Sequence, residues 1–75
     1  MLSNIKDYEA IYKPLYMFTK KHSPNIVKFF TDNNFIYIIT YRKNGTVIDQ
    51  EICIKKDEKT FINQQKRLGF DFFNI

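Results

Sequence analysis

Few residues of this chain could do chemistry. His22 and Cys53 are its only histidine and only cysteine. A structural zinc site needs four ligands of such types, so this pair cannot fill one. His22 stands in the run Lys20-Lys21-His22-Ser23-Pro24, where a lone imidazole at a helix end reads as structural or solvated. Cys53 lies in an apolar, strand-like run and reads as packing rather than as a reactive thiol. Asp49 and Glu51 are two residues apart and share a strand face, but Thr40 and Ile38 opposite them offer no acid–base partner. Asp57 and Glu58 are accounted for by capping of the helix that follows. The chain contains no glycine-rich phosphate loop, nucleophile elbow or paired-cysteine motif, and its two glycines leave little material for an active-site loop. These observations argue against an enzyme and call for neither a metal nor a cofactor.

The elements that would position these residues centre on Phe35 to Ile54, where two strand-like runs meet at Asn44-Gly45. An Asn-Gly pair suits a two-residue type I′ turn, which needs positive φ at both central positions. Pairing outward from that turn sets Tyr41 against Ile48, Ile39 against Gln50, Tyr37 against Ile52 and Phe35 against Ile54, all on one face. The other face pairs Arg42 with Val47, Thr40 with Asp49, Ile38 with Glu51 and Ile36 with Cys53. A three-residue loop would shift the register by one and split the apolar set, so the two-residue loop is preferred. The face carrying Phe35, Tyr37, Ile39 and Tyr41 should receive the helices. The reverse face is apolar at Ile36, Ile38 and Cys53, so either a third element covers it or it forms an interface.

Before the hairpin, Ser3 or Asn4 can cap a helix with Asp7 in its first turn. Ile5, Tyr8, Tyr12, Leu15 and Thr19 recur at helical spacing, which predicts a helix over 4–20 that is kinked or broken at Pro14. The alternative is a helix that ends near Tyr12 and a second that starts around Pro14. A short helix through Ile26, Val27, Phe29 and Phe30, capped by Ser23-Pro24, follows, and Asp32-Asn33-Asn34 turns the chain into Phe35. After the hairpin, Asp57 opens a helix bearing Phe61, Ile62, Gln65 and Leu68. Lys66 and Arg67 suit its last turn and Gly69 its C′ position. The tail from Phe70 to Ile75 is apolar enough to add a strand or plug the core. The expected fold is a small α+β domain spanning 1–75, with a central antiparallel hairpin packed against N- and C-terminal helices. Its order is α-(α)-β-β-α, with room for a short terminal strand.

Seventy-five residues suffice for one domain, and a chain this short buries only about 60% of its extended surface, so self-association is a natural supplement. With 44% hydrophobic and 27% charged residues, the composition is that of a folded chain. The 17% aromatic content is discounted as a binding signature, because Phe, Tyr, Ile, Asn and Lys are all abundant, as an AT-rich coding sequence would make them. No apolar run approaches the roughly 18 residues of a membrane span, and the first residues lack the apolar core of a secretory signal. A single cysteine fits a reducing compartment, hence a cytoplasmic location.

Two readings of function remain. In the first, the chain is a protein-interaction module, a regulator or inhibitor of a larger protein or a homodimer. Its interface is then the reverse hairpin face at Ile36, Ile38, Thr40, Val47 and Glu51, with Phe72 and Phe73 as aromatic anchors. In the second, the net charge of +4 serves nucleic acid. Arg42 and Lys43 then form a basic hairpin tip. Lys20, Lys21 and Lys28, together with Lys55, Lys56, Lys59, Lys66 and Arg67, meet phosphates. Asp49, Glu51, Asp57 and Glu58 interrupt that basic surface, so the first reading is favoured.

Overall fold

The computed structural model describes residues 1–19 and 23–74, with side chains described up to residue 70. Helix α1 (Ile5–Ile11) is followed by four strands: β1 (Lys13–Thr19), β2 (Asn25–Thr31), β3 (Phe35–Arg42) and β4 (Val47–Ile54). A 3-10 turn (Lys55–Asp57), helix α2 (Glu58–Arg67) and strand β5 (Asp71–Asn74) complete the chain. The strands form one five-stranded sheet in the order β4-β3-β2-β1-β5, antiparallel at every junction. Four strands meander by hairpins, and α2 returns the chain across the sheet to set β5 beside β1.

This architecture overturns the expected hairpin-centred fold. The hairpin is present, but it lies at one edge of a sheet that also contains two strands read from sequence as helices. The first helix stops at Ile11, and Tyr12 is already extended at φ −113° and ψ 156°. Pro14 disfavours helical backbone at Lys13 and supplies no amide proton, so the segment enters the sheet rather than bending a longer helix. The segment 25–31 is likewise β2, with Ser23 accepting the Asn25 amide proton through Oγ (3.2 Å) rather than capping a helix.

The misreading has a physical cause. The sheet is covered on both faces, so its inner strands carry apolar side chains on consecutive residues and lose the alternation that marks a strand. Phe29 and Phe30 are both fully buried, one on each face. On one side α1 packs Ile5 and Tyr8 over Phe30, Ile39, Tyr41 and Val47. On the other, Phe61 and Ile62 of α2, with Phe70 beyond its end, cover Phe18, Val27, Phe29, Ile36, Ile38 and Cys53.

Helix α2 ends as its sequence suggests. Gly69 takes φ +88°, the Gly69 amide donates to the Lys66 carbonyl, and the Phe70 amide reaches back to Gln65 (both 3.1 Å). This is a Schellman closure that returns Phe70 to the core. At its start Asp57 occupies the cap position, but its side chain makes no capping bond, because the preceding 3-10 turn leads the chain into the helix. Asn4 does cap α1, accepting the Lys6 amide proton at 2.9 Å.

The β3–β4 turn differs from the expected type I′ form. The Gly45 amide donates to the Arg42 carbonyl (2.8 Å) and the Arg42 amide to Thr46 (2.9 Å), leaving a three-residue loop. Beyond the turn Tyr41 faces Val47 rather than Ile48, and a bulge then restores the register, so Thr40 faces Asp49 and Phe35 faces Ile54. Loop length and bulge compensate, and the outer six pairs are those the apolar pattern demands.

The first residues explain why the longer loop is held. The Ile5 amide donates to the Gly45 carbonyl and the Val47 amide to the Ser3 carbonyl (both 2.9 Å), strapping the N-terminus across the turn. Gly45 sits at φ +94°, and a Cβ there would lie 3.2 Å from both terminal atoms of the Asn4 side chain. Gly45→Ala should therefore destabilise the chain by roughly 1–2 kcal/mol. Urea unfolding should show this as a lower midpoint with an unchanged slope.

Candidate protein-interaction surface

Helix α1 is seven residues long, which gives about 10 Å of cover. It reaches Ile39 and Tyr41 at the turn end of the sheet, and its flank extends only as far as Tyr37. There the Tyr12 ring packs 4.3 Å from the Tyr37 ring, centroid to centroid. Beyond Tyr37 the same sheet face is open. Phe35 and Ile54 are direct partners, and Ile52 sits opposite Tyr37. Phe35 is 41% exposed, Ile52 54% and Ile54 42%. These three side chains form an apolar strip across the two strands at this edge, and covering each half-exposed side chain would contribute on the order of 1 kcal/mol.

The backbone beside this strip is also open. Strand β4 ends the sheet on its side. Only its first residues have a further neighbour, through the isolated Asn4–Thr46 bridge and the Ser3–Val47 bond. From Asp49 to Ile54 the outer edge is unpaired among the described residues. Asp49 and Glu51 are exposed on the opposite side of the strand, and Lys55 and Lys56 are exposed just past its end.

The β2–β3 turn supports the open face from beneath. Asp32 Oδ1 accepts the amide protons of Asn34 and Phe35 (both 2.9 Å), and Oδ2 accepts the Tyr37 hydroxyl proton at 2.8 Å. The two amide bonds and then the phenol hold the Asp32 carboxyl below its ordinary range. The Asp32 carboxylate in turn pushes the Tyr37 phenol up to about 12. Buried Thr31 donates its hydroxyl proton to the Phe35 carbonyl at 2.9 Å, so the turn is tied to the start of the strip.

The residues proposed from sequence disperse in the structure. Ile36 and Ile38 are buried beneath α2 and cannot serve as an exposed interface. Val47 is buried too, and on the α1 side, because the three-residue loop and bulge rotate it away from the face first assigned to it. Thr40 is half-buried and Glu51 exposed. Phe72 and Phe73 pair through the backbone with Phe18 and Met17, and their side chains lie outside the described residues. Conversely, Phe35 was expected in the core and is open.

Among the basic residues, Lys28 is half-buried, paired with Glu9 at 3.0 Å and set over the Phe30 ring at 5.5 Å. Arg42 and Lys43 are exposed at the turn, while Lys55, Lys56, Lys59, Lys66 and Arg67 are exposed beyond the far end of β4 and along α2. The eight residues of β4 separate Arg42 and Lys43 from Lys55, Lys56 and Lys59 by roughly 25 Å, with Asp49 and Glu51 between them. Helix α2, by contrast, carries Lys66 and Arg67 back towards the end of the sheet where Asp71, Thr19, Ile26 and Tyr41 are level. Lys20, Lys21 and His22 lie outside the described residues.

Cys53 is buried opposite Ile36. Burial first, and then the Asp57, Glu51 and Glu58 carboxylates, push its thiol up and suppress the thiolate. Burial and the neighbouring Glu58 carboxylate likewise raise the Tyr16 phenol. No group of three potential metal ligands comes together among the described residues, and none of their helices is long and apolar enough to cross a membrane. Comparison with protein-family models, curated proteins and solved structures returns no match.

The strip was missed because the sequence reading placed a helix over the whole Phe35–Tyr41 face. The available signal was Pro14: a helix stopped before it is too short to reach Phe35.

The Asp32 turn should make the fold acid-sensitive. Its carboxyl is depressed in the folded chain, so its stabilisation is full above about pH 4, the ordinary carboxylate value, and is lost as pH falls through the lower folded value. Asp32→Asn should flatten that part of a stability-against-pH curve measured by chemical unfolding. On the alkaline side, Tyr37, raised to about 12, should cost stability as pH rises from about 10, its unfolded value. Tyr37→Phe should remove that loss.

Proposed function

We propose that the chain is a small non-enzymatic protein-interaction module, a regulator or inhibitor of a larger protein or a self-associating unit. Its binding surface is the open edge of β4 with the strip Phe35, Ile52 and Ile54. The observation that carries this reading is the coincidence, on one strand, of unpaired backbone and exposed apolar side chains. An extended segment laid along such an edge gains main-chain hydrogen bonds, and the alternate side chains beside it supply selectivity. Exposed Lys55 and Lys56 just past Ile54 give the end of the apolar strip a polar border, as at protein interfaces. The setting is a reducing, cytoplasmic one, which suits the lone buried thiol of Cys53.

Nucleic-acid binding is the weaker reading. Arg42 and Lys43 at the tip and Lys55 and Lys56 at the far end of β4 are about 25 Å apart, and the exposed carboxylates of Asp49 and Glu51 stand between them.

Because Ile52 and Ile54 are exposed, replacing both by Lys should change stability by no more than about 0.5 kcal/mol. The double variant should still lose whatever protein the wild type retains in affinity capture from its native cell. Binding to nucleic acid that weakens linearly in log affinity with log salt, and disappears in Arg42→Glu/Lys43→Glu, would overturn this reading.

A further inference from the structure

We infer that the occupant of the β4 edge is a second copy of this chain, added antiparallel about a two-fold axis at Ile52 to make one continuous sheet. The inference rests on the interaction reading above and names its partner.

The order of charges along the edge carries it. Asp49 and Glu51 come first, Lys55 and Lys56 last, and all four are exposed. An antiparallel second copy reverses that order and sets acid against base, whereas a parallel copy would set like against like. Antiparallel self-pairing also matches residues of the same parity, so each face of the sheet continues onto the same face of the second copy.

The charges then select the register. With Ile52 on the axis, Asp49 faces the second copy's Lys55, Glu51 faces its Cys53 with its Lys55 and its Glu51 on the two diagonals, and Gln50 faces its Ile54. Moving the axis one residue towards the N-terminus sets Glu51 against itself. Moving it one residue the other way brings Asp49 to the second copy's Asp57. Among these, only the Ile52 register sets no like charges directly opposite one another.

The ends of the open edge agree independently. The bulge at Ile48 and the Asn4 bridge close it on one side, and the 3-10 turn starting at Lys55 closes it on the other. The remaining stretch, Asp49–Ile54, is centred between Glu51 and Ile52, which excludes an axis shifted towards Cys53. It leaves the charges to choose Ile52 over Glu51, with Lys55 reaching Asp49 from the first residue of the turn. On the α1 side the pairing sets Ile52 against its own copy and joins the two Phe35–Ile54 strips into one continuous apolar band. A chain this small, with a thin core of its own, gains most from such a supplement.

Sedimentation equilibrium over a concentration series should show wild-type dimers. Asp49→Lys and Lys55→Asp should each weaken dimerisation about tenfold, since each turns two attractive cross-strand pairs repulsive. An equimolar mixture of the two variants should restore association towards the wild-type level, because every directly facing pair is then complementary. Ile52→Lys should abolish the dimer, with Ile52→Thr as the milder variant if the lysine disturbs folding in circular dichroism.

A dimer indifferent to both Asp49→Lys and Ile52→Lys would overturn the inference. So would a mixture that fails to restore association. A wild type that stays monomeric at every concentration but captures another protein through Ile52 would overturn self-pairing and leave the interaction reading standing. A monomer that captures nothing would overturn both.

Discussion

The structure depends on a sheet whose inner strands are buried on both faces. Phe29 and Phe30 are neighbours in the chain, yet one belongs to the core beneath α2 and the other to the core beneath α1. Neither ring can be placed without a helix on its own side, so β2 is useful only when both covers are present. The antiparallel ladder from β1 to β4 satisfies the backbone groups that this burial removes from water. The two thin cores thus share one hydrogen-bonded layer, which suits a chain too short for a single large core.

The two covers are unequal, and the exposed surface follows from that inequality. Helix α2 and Phe70 cover Ile36, Ile38 and Cys53 on their side. Helix α1 is stopped by the extended residues before Pro14 and covers only the turn end of the other face. Tyr8 ties α1 to the edge strand by donating its hydroxyl proton to Gln50 Oε1, and it accepts the Leu2 amide proton at 3.0 Å. Past that anchor the same face carries Phe35, Ile52 and Ile54 without a helix above them. The apolar strip is therefore set by where α1 ends.

Parts of this were legible in the sequence because their causes are local. Asn4 as a cap, Gly69 as a C′ residue and the outer pairs of the Phe35–Ile54 hairpin follow from side-chain bonding, left-handed backbone and alternating burial. The Lys13–Thr19 and Asn25–Thr31 segments were illegible for the opposite reason. Asn25–Thr31 is covered on both faces and has no polar side to expose its period. In Lys13–Thr19 the irregularity between Pro14 and Tyr16 brings Leu15, Tyr16 and Phe18 to the same core, a set that fits a helical stripe as readily as a strand. The candidate surface inherited that error, since a helix running to residue 20 would have hidden it.

The sequence by itself determined the hairpin and its outer register, the site of the turn and the end of α2. Each depends on interactions within a few residues or across one turn. Tertiary structure alone decided that the hairpin lies at a sheet edge, that Ile36, Ile38 and Val47 are buried, and that Phe35 is open. These outcomes depend on which distant segments meet. The strap at Ser3–Ile5 selects the three-residue loop, and α2 covers the face beneath it. The length of α1 decides how much of the other face water still reaches.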